Sequence, residues 1–238
     1  MKHFSLCKYQ AVIPLAVLSI LPAASAQVRP VAPAIVTRYC SGCHELNGKS
    51  QLPYIPKLAG QNAAYVLRKL ATFRAADSAP VDEAVSLVAG AGSTGRPGNT
   101  GNDVRITGAA SVHMVGVARA VSEADKKAAA EWYAAQMPAP GKSGQRKLIE
   151  EGRNLFINGV QSQGLTACQT CHGPDAHGND RAPRLAGQSA AYVISQLALF
   201  READPHHSPE MTVVAKAVEG DQARAVAVYV QSLGTPGK

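Results

Sequence analysis

Cys40-Ser41-Gly42-Cys43-His44 and Cys168-Gln169-Thr170-Cys171-His172 each set two thiols three positions apart and place an imidazole directly after the second. Thiols at that spacing lie on adjacent turns of a short helix, where both can bond to the vinyl groups of one porphyrin. The adjacent histidine can then turn its ring to the iron as the proximal ligand. C-x-x-C-H therefore reads as covalent haem attachment, and its double occurrence as two haem c groups held by Cys40, Cys43, Cys168 and Cys171. Four cysteines would also allow disulfides, or a zinc site of C-x-x-C…C-x-x-C type. Neither alternative uses the two histidines or the sequence that repeats behind them.

What must position these groups is itself written twice. Pro56-Lys57-Leu58-Ala59-Gly60-Gln61-Asn62-Ala63-Ala64-Tyr65 recurs as Pro183-Arg184-Leu185-Ala186-Gly187-Gln188-Ser189-Ala190-Ala191-Tyr192. Asn62 and Ser189 are good N-cap types, and Ala63, Leu67, Leu70 and Arg74 follow at helical spacing, as do Ala190, Ile194, Leu197 and Arg201. A second block aligns without a gap, Met114 to Val121 with Met211 to Val218. The helix predicted over Ser122 to Gln136 aligns with Glu219 to Leu233 and sets Trp132 opposite Tyr229, with Ser122 and Asp125 forming a capping box. The order in each half is haem motif, proline, helix, loop methionine, terminal helix. No convincing alternating strand accompanies it, so the fold class is all-α, with each half too small to bury a core alone and wrapped around an apolar macrocycle.

The N-terminus reads as an export signal. Lys2 and Lys8 make a positive n-region, Ala11 to Leu21 an apolar stretch too short to span a membrane, and Ala24-Ser25-Ala26 a cleavage site. The expected divisions are a signal peptide over 1–26, a first domain over 27–137 with an insertion at about 75–110, a linker over 138–144, and a second domain over 145–238. Cleavage after Ala26 would remove Cys7 and leave 212 residues, whose basic groups less the two leader lysines give a net charge of +5 against 17 acids. There is no Lys/Arg block and little aromatic content, which gives no support to nucleic-acid binding.

These paired motifs resemble the dihaem cytochrome c4 family, two class I cytochrome c domains in tandem, over most of the chain and most strongly from Gly152 to Leu233. The resemblance implies a class I fold for each domain, a haem-to-haem contact between them, and electron transfer in the periplasm. It also implies His44 and His172 as proximal ligands, with Met114 and Met211, at the family's ligand position, as distal ones. Pro56 and Pro183 would offer their carbonyls to the proximal rings, fixing their orientation and basicity. Met137 lies outside the repeat; His113, His177, His206 and His207 have no counterparts in the other half and are read as surface residues.

Two departures from the family pattern stand out. Gly152 and Phe156 precede the second haem motif, near Tyr229, whereas Val28 to Tyr39 lacks that pair, so the first domain's leading helix should be short or irregular, with Trp132 meeting Tyr39 or Ile35 instead. Arg74 and Met114 are 40 positions apart, against 10 between Arg201 and Met211. The extra segment holds Gly90-Ala91-Gly92-Ser93-Thr94-Gly95, but the helix that a dinucleotide site needs is replaced by Arg96-Pro97-Gly98-Asn99, so no nucleotide is expected.

Two six-coordinate haems would leave no open iron site, which points to an electron carrier between redox protein partners, a donor on one side and a terminal oxidase or reductase on the other. The alternatives are a dihaem enzyme, a peroxidase or sulfur-compound dehydrogenase, and a cytochrome subunit of a dehydrogenase complex that docks through the insertion.

Overall fold

In each half a haem-motif turn is followed by a loop and a helix, and two further helices close the other side. The computed structural model describes residues 30–75, 113–201, 208–218 and 220–234. The expected signal peptide, almost all of the expected insertion with its glycine-rich motif, and His206 and His207 lie outside the described residues. Ala32 onward belongs to one compact unit.

The first half contains a π-helical stretch, Val36–Cys40, running directly into α1, Ser41–His44. It continues through α2, Ala63–Ala75, a helix over 113–120 (α3) and α4, Glu123–Ala134. The second half contains α5, Arg146–Asn158, then α6, Gln169–His172, α7, Ala190–Arg201, α8, Pro209–Ala217, and α9, Gly220–Ser232. Among the described residues there is no strand, and Val160 and Leu165 form an isolated antiparallel bridge.

Local chemistry sets these boundaries. Ser122 Oγ accepts the Asp125 amide, and Glu123 and Asp125 place negative charge at the positive end of α4. Asn62 Oδ1 accepts the Tyr65 amide at the start of α2, and Ser208 Oγ accepts the Met211 amide in the first turn of α8. At the start of α7 the Ala190 amide donates to Gln231 Oε1 of α9, so a tertiary contact supplies the cap.

The two cores are unequal. In the second half α5 crosses α9 so closely that a Cβ on Gly152 would sit 2.1 Å from the Ala225 carbonyl oxygen. That approach lets Phe156 stack obliquely on Tyr229, ring centroids 5.5 Å apart, within a large cluster that includes Leu155, Leu197, Val226 and Val230. Among the described residues of the first half no glycine pair-mate to Gly152 stands at the leading segment. Its cluster is Ile35, Val36, Val121, Ala129 and Tyr133, with Trp132, Val117 and Leu58 packed against it. Trp132 joins Ile35's cluster as expected, but its indole N–H is spent on the Leu46 carbonyl at 2.8 Å, and Tyr39 is 48% exposed. The aromatic that fills this core is the neighbouring Tyr133, whose hydroxyl donates to Glu45 O.

One backbone tie confirms the repeat register. Gly60 N–H donates to Tyr133 O at 2.9 Å, and Gly187 N–H to Val230 O at 2.8 Å. The 138–144 segment is packed down: Lys142 N–H donates to Gln231 O, and a Cβ on Gly141 would lie 2.2 Å from the Ser232 carbonyl oxygen.

Candidate haem sites

Short helices carry the attachment residues. Cys40 ends the π-helical stretch, with Cys43 and His44 on α1; Cys168 caps α6, with Cys171 and His172 on it. None of these four cysteines is in a disulfide, which leaves each sulfur available for a thioether bond. The turns are pinned from outside: Ser50 Oγ donates to Cys43 O at 2.7 Å, and Asn179 Nδ2 to Cys171 O at 2.9 Å.

The histidines are held alike. His44 Nδ1 lies 2.9 Å from Pro56 O, and His172 Nδ1 lies 2.9 Å from Pro183 O. A carbonyl oxygen only accepts, so Nδ1 carries the proton and Nε2 keeps a lone pair, the tautomer a metal ligand needs. Both rings are 7% exposed, and burial lowers their pKa values against a smaller opposing pull from the proline carbonyls. The Tyr133 ring stands edge-on to His44, centroids 6.4 Å apart.

Met211 lies in the first turn of α8 and packs against the second core. Arg201, at the end of α7, holds the far end of α8 by donating from Nε to Ala215 O at 2.7 Å and from its guanidinium to Val218 O. Met114 is half-buried in the first turn of α3, the helix whose Val117 enters the first core. His113 and His177 are exposed. Among the described residues no three side chains from His, Cys, Asp or Glu are grouped as a metal-ion cluster.

The fit to haem rests on three observations: paired cysteines beside a histidine of ligand tautomer in each half, methionines on the following helices, and a buried arginine nitrogen without a partner. Arg184 is buried, its Nε has no hydrogen-bond partner, and burial lowers its pKa. A haem propionate is the kind of acceptor that such a group lacks.

Sequence reasoning left the repeated glutamines without a role, and the structure supplies one. Gln188 Oε1 accepts the Lys57 amide at 2.9 Å and its Nε2 donates to Lys57 O at 3.1 Å. Gln61 Oε1 accepts the Arg184 amide at 2.8 Å and its Nε2 donates to Arg184 O at 3.1 Å. Each half thus grips the other at the residue following its histidine-binding proline. Lys57 Nζ also donates to Gly187 O, and Asn62 Nδ2 to Asp180 Oδ1. Tyr65 and Tyr192 are near enough to influence each other; burial pushes Tyr65 up to about 12 and Tyr192 higher still. The only signal available for these residues was a polar glutamine and a tyrosine recurring within an apolar motif.

No protein-family model matches the chain. It is 32% identical to cytochrome c4 of Stutzerimonas stutzeri over 82% of its own length and 84% of the relative's. It is 29% identical to a thiosulfate dehydrogenase electron acceptor of Stutzerimonas stutzeri A1501, over 82% of its length and 79% of the relative's. The crystal structure of reduced cytochrome c4 from Pseudomonas stutzeri superposes with a TM-score of 0.64 at 29% identity, covering 82% of this chain and 94% of that one.

Proposed function

Since the chain belongs to the dihaem cytochrome c4 family, whose members carry two covalently bound haem c groups and transfer electrons, we propose that it is a periplasmic carrier working through two His/Met-ligated haems. The observation that carries this reading is the duplicated proximal arrangement, His44 on Pro56 and His172 on Pro183, with equal distances and the same tautomer. When bound, haem supplies a one-electron iron couple. Cys40 with Cys43, and Cys168 with Cys171, would anchor each macrocycle; His44 and His172 would offer Nε2, and Met114 and Met211 Sδ, to the iron. Pro56 and Pro183 keep a proton on each Nδ1, which fixes ring orientation and ligand basicity. Arg184 would offer its unpartnered Nε–H to a propionate. Two protein ligands to each iron would leave no open position there for a substrate.

A redox titration followed by optical spectroscopy tests this. The expected result is two haems, both with a methionine–iron charge-transfer band when oxidised, and neither binding added cyanide or carbon monoxide rapidly. Fast ligand binding at one haem would favour a dihaem enzyme instead.

The terminal oxidase is one candidate acceptor. The relative described as a thiosulfate dehydrogenase electron acceptor favours a second reading for the donor side, in which a thiosulfate-oxidising enzyme reduces this chain. Stopped-flow mixing with such a dehydrogenase and thiosulfate would reduce the haem bands within the mixing experiment; failure to do so would remove this donor. Export follows from the leader, and among the described residues no helix is long and apolar enough to cross a membrane.

A further inference from the structure

We propose that each half's proximal histidine is tuned by the glutamine of the other half, acting through one peptide group. Pro56 C=O and Lys57 N–H belong to the same planar unit. Its oxygen accepts from His44 Nδ1 at 2.9 Å, and its N–H donates to Gln188 Oε1 at 2.9 Å. The peptide joining Pro183 to Arg184 repeats this between His172, at 2.9 Å, and Gln61, at 2.8 Å.

Hydrogen bonds in series polarise one another, more so where water is excluded, and both glutamines are only 5% exposed. Drawing the amide proton toward Oε1 puts more negative charge on the proline oxygen. That oxygen then pulls harder on Nδ1–H, the imidazole becomes a stronger donor, and oxidised iron is stabilised. The glutamine amides cannot flip without loss. Each Oε1 also accepts the next residue's amide, Asn62 at 3.1 Å or Ser189 at 3.0 Å, while each Nε2 faces a carbonyl oxygen. The effect is crossed: Gln188 acts on the haem of His44, and Gln61 on the haem of His172.

This rests on His44 and His172 being the iron ligands, and the test separates the two claims. In the full-length holoprotein, Met114→His and Met211→His first assign the two redox steps, each lowering the potential of its own haem. Gln188→Met, similar in length but without the acceptor, should then raise the potential of the His44 haem and leave the other unchanged, with Gln61→Met doing the reverse. The ring Nδ1–H proton resonance of the affected histidine should move upfield. Gln188→Glu keeps an oxygen facing the Lys57 amide and should not raise the potential. A shift on the variant's own haem, an equal shift on both as from loosened halves, or no shift would overturn the relay. Absence of a ring Nδ1–H resonance tied to each haem in the parent would overturn the ligand assignment, and the relay with it.

Discussion

At the scale of single residues, the proposed proximal ligands are side chains whose protonation the fold has already chosen. The proline carbonyls hold Nδ1–H, and burial disfavours a second proton on either ring. Replacing Met114 or Met211 by alanine should therefore remove one charge-transfer band and open one haem to cyanide without releasing it, because the thioethers and the proximal ligand remain. Loss of both bands from one substitution would refute independent distal ligation. The tyrosines give a pH dependence. Tyr65 titrates at about 12 in the fold, against about 10 in an unfolded chain, so the unfolded state ionises first as pH rises. Its stabilising contribution is complete below about pH 10 and is lost on the way to about 12. Denaturant midpoints at alkaline pH should fall less steeply for Tyr65→Phe than for the parent, and parallel curves would contradict this.

At the scale of elements, the halves differ in how the leading helix meets the terminal one. Gly152 exists because Ala225 comes so close: a methyl there forces α5 off α9 and parts Phe156 from Tyr229. Gly152→Ala should destabilise the second half by about 2–3 kcal/mol, within the usual cost of overpacking a tight core, read as a lower melting point of the whole molecule. Ser122→Ala removes a cap from α4 and should cost about 1 kcal/mol. An unchanged melting point in either variant would contradict these assignments. The Gly152–Phe156 pair was legible through the family resemblance, which implies a glycine and an aromatic before the haem motif that pack on the terminal helix, here near Tyr229. The π-helical stretch before Cys40 was visible only as the missing pair. Tyr133's place in the first core was not legible, since Trp132 holds the aligned position and only packing shows that its neighbour turns inward. The glutamine grip was out of reach for a stronger reason: a repeat shows that Gln61 and Gln188 do the same thing, but which half each one touches depends on how the halves dock.

At the scale of the whole molecule, that docking decides how the protein unfolds. The first core is small, whereas the second gathers α5, α7, α8 and α9 around one continuous cluster. Left to itself the first half would melt earlier. Four hydrogen bonds between the buried glutamines and the Lys57 and Arg184 backbone join the halves. At about 1 kcal/mol each, they contribute a coupling of about 4 kcal/mol, a large share of the stability of a domain this size. The parent should therefore unfold in a single cooperative transition, with both methionine bands lost together. In the Gln61→Met, Gln188→Met double variant the coupling is gone and buried peptide groups are left without partners, so calorimetry should resolve two transitions. The lower should take the Met114 band and the higher the Met211 band. A double variant that still melts in one step would mean that the apolar contact between the halves, and not the amide exchange, makes the molecule one cooperative unit.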